Sequence, residues 1–142
     1  MNSEILKPVV VLVAWTLVML VWVVIVRLPA MKRAGIDVAT VRGGNGAALD
    51  KLLPEQTQWK AHNYMHLVEQ PTLFYAICGV LALTGGGEEP VNVWLAWCYV
   101  GLRILHSLVQ AIGNRVQYRF LLFAASTLAL VALTLHAAMT VF

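Results

Sequence analysis

Charge is scarce in this chain, and acidic charge is scarcest. Only 12% of its 142 residues are charged, and Lys and Arg outnumber Asp and Glu by ten to seven. A water-soluble domain of this length needs far more charge to cover its surface, so that class is excluded and the bilayer becomes the expected solvent. Residues 9–26 hold no charged side chain, and residues 120–142 hold no Asp, Glu, Lys or Arg. Cysteine is almost missing too. Cys78 and Cys98 lack C-x-x-C spacing, which removes a disulfide framework or redox motif and leaves inert buried thiols as the reading. The glycines Gly43, Gly44 and Gly46 have neither a preceding strand pattern nor a following Lys-Ser/Thr. A phosphate loop is therefore not expected there, and a flexible connector is. The first apolar run exceeds a signal-peptide core and has no small-residue cleavage site, so it reads as an uncleaved anchor.

What the chain does have is apolar length. Hydrophobic residues make up 60% of it, with mean hydropathy +0.75. At about 1.5 Å per residue, four segments can each cross a hydrocarbon core of about 30 Å. The spacing predicts helices over 7–27, 59–85, 90–113 and 115–142, forming one all-α membrane domain over 1–142. Pro71 should bend the second helix, the glycines at 85–87 should end it, and Pro90 should open the third. Gly113 suits a helix C-terminus.

Basic residues set an orientation. Arg27, Lys32, Arg33, Arg42, Lys51 and Lys60 cluster between the first two spans, and Arg115 and Arg119 follow the third, whereas the turn "GGGEEP" is acidic. The positive-inside rule puts both basic connections in the cytoplasm and both termini on the non-cytoplasmic side.

The few polar groups inside the spans are patterned. His62, His66 and Glu69 share one face of the second helix, as do Arg103, His106 and Gln110 on the third. Glu69 and Arg103 each lie about 15 Å from the cytoplasmic helix end. Because an isolated charge at that depth costs at least about 2.5–3.5 kcal/mol, an ion pair between them is expected. A mutually satisfied pair would simply fasten two helices. Arg115 and Arg119 remain as surplus cations: Arg115 can reach the headgroups, while Arg119, one turn further in, is better placed to receive an anionic ligand. His136 and Asn63 read as packing or interface residues.

The ordered set "HNYMHLVEQPTLFY", "RILHSLVQ" and "NRVQYR", on four spans, resembles the MAPEG family of membrane-associated proteins in eicosanoid and glutathione metabolism, over nearly the whole chain. The resemblance implies a homotrimer with glutathione held between neighbouring subunits at the cytoplasmic side. Glu69 is similar to the family's helix-2 glutamate, Arg103 and His106 to its helix-3 Arg-x-x-His/Tyr pair, and Arg119 to the arginine that stabilises the glutathione thiolate. His66, His62, Gln110 and Arg115 complete the implied binding set, and Arg27 or Arg33 is placed to meet a glutathione carboxylate. Three departures stand out. His62 and His66 occupy the places of the family's helix-2 Arg and Asn, Gln110 stands for a frequent tyrosine, and Phe120 follows Arg119 where prostaglandin synthase relatives have serine. The pattern is similar to a bacterial-type branch, in an inner membrane, rather than to an eicosanoid enzyme.

The leading expectation is a glutathione-dependent transferase or peroxidase acting on lipophilic electrophiles dissolved in the membrane. The alternative is a non-catalytic member of the same scaffold that binds a lipid or another thiol. A metal site on His62, His66, Glu69 and His106 has permissive spacing, but Arg103 is an unfavourable neighbour for a divalent cation, so no metal is expected. A four-helix drug exporter would carry its membrane acid in the first helix, where residues 7–26 have none. No nucleic-acid partner is expected.

Overall fold

The computed structural model describes residues 3–43 and 46–142; Gly44, part of the glycine cluster, lies outside them. Five helices follow one another: α1 (Leu6–Arg33), α2 (Glu55–Glu69), α3 (Pro71–Thr84), α4 (Pro90–Ile112) and α5 (Val116–Val141). α2 and α3 run on as one apolar rod of 30 residues, so four segments are long and apolar enough to span a bilayer. The chain is a multi-pass, all-α integral membrane protein, and no strand occurs among the described residues.

The α2–α3 junction follows from Pro71. Its nitrogen carries no hydrogen, so the bond it would give to Leu67 is missing, and Pro71 instead starts α3 as a first-turn residue. The break between α2 and α3 thus falls at Pro71, the residue at which the sequence predicts an interruption. Gly85 closes α3 with φ +90°, a left-handed conformation that costs glycine little. Gly87 is required for a different reason. A β-carbon there would lie 2.9 Å from the Cα of Ala82 in α3 and 3.1 Å from the Ile5 side chain of the N-terminal segment, which crosses here with Ile5 donating its N–H to the Gly87 carbonyl.

α4 is the central helix, packing along α5 and also touching α1 and α2. Its buried stripe, Asn92, Ala96, Tyr99, Arg103, His106 and Gln110, repeats every three or four residues, as one face of a helix does. Phe74 of α3 stacks on Tyr99 at 4.3 Å between centroids, within a core that includes Leu12, Met19, Leu67, Cys78, Leu81 and Leu133. The outward faces of α1 and α5 are apolar and exposed, as lipid contact demands.

Two boundaries differ from expectation, and the α4–α5 hinge, where Gly113 caps α4 as expected, takes its left-handed turn one residue later. α1 does not stop at Arg27 but carries Pro29 inside it and ends at Arg33. α2 begins at Glu55 rather than Trp59. At the α4–α5 hinge Gly113 keeps right-handed dihedrals, and the left-handed residue is Asn114, with φ +47°. Asparagine is the non-glycine residue best suited to that conformation. The connector between α1 and α2 is also more tied than a free linker. It forms a short 3₁₀ turn at Gly46–Leu49 and is fastened by Arg27 to the Gly46 carbonyl (3.0 Å), by Gln58 to the Leu49 carbonyl and by His62 to Asp50 (3.1 Å).

Candidate functional site: a cationic recess beside the α4–α5 hinge

Polar groups in the bundle form a ladder between antiparallel helices. At one level Ser107 accepts hydrogen bonds from Trp15 Nε1 (3.0 Å) and Asn63 Nδ2 (2.8 Å), joining α1, α2 and α4. At another, Gln70 donates to Thr127 (2.9 Å) and accepts from the Tyr99 hydroxyl (3.4 Å). Asn63 is therefore a packing residue. His136 plays the same part at the far end, bonded to Asn92, which itself donates to the Gly86 carbonyl.

Arg103 lies between those two levels. It is fully buried, and its Nη2 donates to the main-chain carbonyl of His66 at 2.7 Å. Its Nε and Nη1 are also buried and find no acceptor in the chain. The guanidinium sits 5.9 Å from the centre of the Phe123 ring, within cation–π range. Next to it the His66 and His106 rings meet edge-on, 6.0 Å apart. Arg119, one helical turn before Phe123, is held by the hinge: its Nη1 donates to Asn114 Oδ1 at 2.6 Å, and its Nε is buried without a partner.

These groups enclose a recess of about 260 Å³ lined by His66, His106, Val116, Arg119, Phe120 and Phe123. α2 and α4 supply the imidazoles of His66 and His106, and α5 supplies Arg119 together with Val116, Phe120 and Phe123. Among the described residues no carboxylate lies within 4 Å of Arg103 or Arg119. Buried donors of a cation without acceptors are costly unless a guest supplies them. The site is chemically built for an anion with an apolar companion.

The predicted residues separate into three groups. His66, His106 and Arg119 line the recess, and Arg103 lies beside it. Glu69 and His62 stand apart. Among the described residues the expected Glu69–Arg103 ion pair is absent: the Glu69 side chain is 62% exposed and its carboxylate lies 3.5 Å from the ring of His66. The face that Glu69 occupies on α2 differs from expectation. Leu67 points into the core, and Glu69, two residues on, is rotated by roughly 200° to the outside. His62 turns to the connector's Asp50. Gln110 is buried, with its Oε1 unpartnered, but does not line the recess, and Arg115 is exposed at the hinge. Sequence reasoning passed over Phe123, one turn beyond Arg119, and Asn114, which holds Arg119. No group of three His, Cys, Asp or Glu side chains converges as a metal site among the described residues.

No curated protein and no solved structure matches the chain. A family model does, over residues 5–139, which takes in all four spans and every residue of the recess. The chain belongs to the MAPEG family.

Proposed function

We propose that this protein is a glutathione-dependent transferase or peroxidase acting on lipophilic electrophiles, with Arg119 as the residue that holds the reacting sulfur in its ionised form. The observation that carries the reading is the recess itself, which an arginine with an unused buried donor lines together with two phenylalanines of the same helix. Glutathione fits this donor set. It is an anion bearing a thiol, and the unpartnered nitrogens of Arg103 and Arg119 are the groups its charges would satisfy.

When bound, glutathione supplies a thiolate that forms a new C–S bond while the leaving group departs with its electron pair. The chain's own part is to bind and orient. A guanidinium beside a thiol favours the thiolate over the thiol. Arg103, His106 and His66 hold the tripeptide's charged ends, Gln110 backs them from the core, and Arg115 draws the anion to the hinge. Val116, Phe120 and Phe123 receive the apolar electrophile from the bilayer.

Glu69 supports an assembled form. In a lone chain its carboxylate projects outward from the middle of a span, a position that costs at least about 2.5–3.5 kcal/mol against lipid. A homotrimer in which neighbouring copies cover Glu69 removes that cost and completes the glutathione site from two subunits. The basic connector and hinge support a cytoplasmic side for that site, since basic residues favour the cytoplasm.

The test is turnover of a chloronitroaromatic electrophile by purified protein, alongside the ultraviolet absorbance of the bound thiolate. Arg119→Ala should lower kcat/KM at neutral pH by about tenfold or more and abolish the thiolate signal. Undiminished turnover would overturn the assignment. One observation favours the second reading, a non-catalytic scaffold that binds a lipid or another thiol: His62 is engaged by Asp50 and so does not face the recess. Calorimetry decides between them, since an intact oligomer that binds no glutathione is a scaffold.

A further inference from the structure

A second cavity lies outside this site, and Arg27, which the family resemblance offered to a glutathione carboxylate, lines it rather than the recess. The connector and the end of α1 enclose about 570 Å³, within the range of small-molecule sites, and the lining includes Arg27, Met31, Ile36, Val41, Arg42 and Leu49. We propose that this cavity binds one anionic phospholipid, with its phosphate between Arg27 and Arg42 and the start of an acyl chain against the apolar wall.

Depth is the first argument. α1 has 28 residues and is about 42 Å long, more than the roughly 30 Å hydrocarbon core. Counted from Leu6, Arg27 lies about 31 Å along the helix, at headgroup level, and the last turns of α1 stand clear of the hydrocarbon. The connector packs back against that projecting end, so the cavity is where phosphates are.

Charge is the second. Arg27 gives one bond to a neutral carbonyl, that of Gly46, and its Nε is buried without a partner. The nearby acids are engaged elsewhere: Asp50 meets His62, and Asp37 Oδ1 accepts the Ala39 N–H. Among the described residues no carboxylate lies within 4 Å of Arg27 or Arg42. Guanidinium groups match phosphate oxygens in pairs of parallel hydrogen bonds.

The apolar wall is the third. Val41 is 54% exposed although a short connector could have been polar throughout. A small free anion has no use for that wall, and a neutral lipid has no use for two guanidiniums. An anionic lipid uses both. This site is built from α1 and its connector, whereas the cationic recess is built from α2, α4 and α5.

Native mass spectrometry of the detergent-purified protein, titrated with phosphatidylglycerol or with phosphatidylcholine of the same acyl chains, tests the proposal. Phosphatidylglycerol should be retained selectively. Arg42→Glu, which reverses charge at an exposed side chain while sparing the Arg27–Gly46 bond, should lower retention on the order of tenfold, with helicity unchanged by circular dichroism. Lys32→Gln, outside the cavity, should retain lipid as the parent does. Equal retention of the two lipids, or an equal loss in Arg42→Glu and Lys32→Gln, would show only general surface attraction and overturn the site. Displacement of the lipid by glycerol phosphate alone would make it a free-phosphate site. Displacement by glutathione would assign it to the thiol substrate. Either result also overturns the lipid assignment.

Discussion

Arg103 donates to the main-chain carbonyl of His66, 2.7 Å away, and not to a carboxylate. A full positive charge at the centre of the bundle is thus met by one neutral acceptor, with two of its nitrogens left over. Such a group does little for stability on its own. On the function proposed above, the other half of its interactions arrives with the ligand.

Replacing Arg103 separates those roles. Arg103→Met fills similar volume without charge, so thermal unfolding in detergent should change little or shift upward, as buried charges replaced by apolar groups often do. Glutathione binding should nevertheless be lost in calorimetry. A fall in stability of about 3–5 kcal/mol would instead mark the arginine as a structural fastener.

The hinge offers a finer test. Asn114 combines a left-handed backbone with an acceptor for Arg119. Asn114→Gly keeps the backbone conformation easy but removes the acceptor, so folding should hold while kcat falls and the thiolate signal weakens. Asn114→Ala should additionally cost about 1–2 kcal/mol of stability through the left-handed strain. Equal stability of the two variants would remove the strain argument.

The sequence made some of this legible for a physical reason. α4 is amphipathic, and Asn92, Ala96, Tyr99, Arg103, His106 and Gln110 mark its buried side by polarity and spacing alone. The four long apolar segments were legible too, because spanning length depends only on rise per residue. Facing was not. On α2 and α3 lipid and core are equally apolar, so nothing in the composition says that Leu67 points inward and Glu69 outward. The length of α1 was hidden similarly: its charge-free run ends before Arg27, yet the helix continues through Pro29 to Arg33. The connector's fastenings pair residues 9 to 19 positions apart, beyond any local pattern.

The outward Glu69 carries a prediction about assembly. If a neighbouring copy covers it, Glu69→Leu removes a polar partner from the interface, and the oligomer should dissociate at lower detergent concentration in native mass spectrometry. If it faces lipid, the same change deletes a charge exposed to hydrocarbon and should stabilise the protein, by up to about 2.5–3.5 kcal/mol on insertion scales. The two outcomes have opposite signs.

Ser107 provides the sharpest measure of how far the bundle depends on its polar ladder. Its hydroxyl accepts from both Trp15 and Asn63, and it is fully buried. Ser107→Ala leaves two donors on two different helices without an acceptor, where each unpaired buried group costs about 1–3 kcal/mol. Membrane interiors lower that figure, since the unfolded helices also find partners, and single interhelical bonds average about 0.6 kcal/mol. The loss should therefore be about 1–3 kcal/mol in all, read from unfolding in mixed micelles. Trp15→Phe, which removes one donor and keeps the ring, should cost less than Ser107→Ala. Combined with Ser107→Ala, it should restore part of the loss, because one orphan donor is gone. Strict additivity of the two changes would mean that Trp15 and Ser107 are not coupled, and that α1 is held to α4 by apolar packing alone.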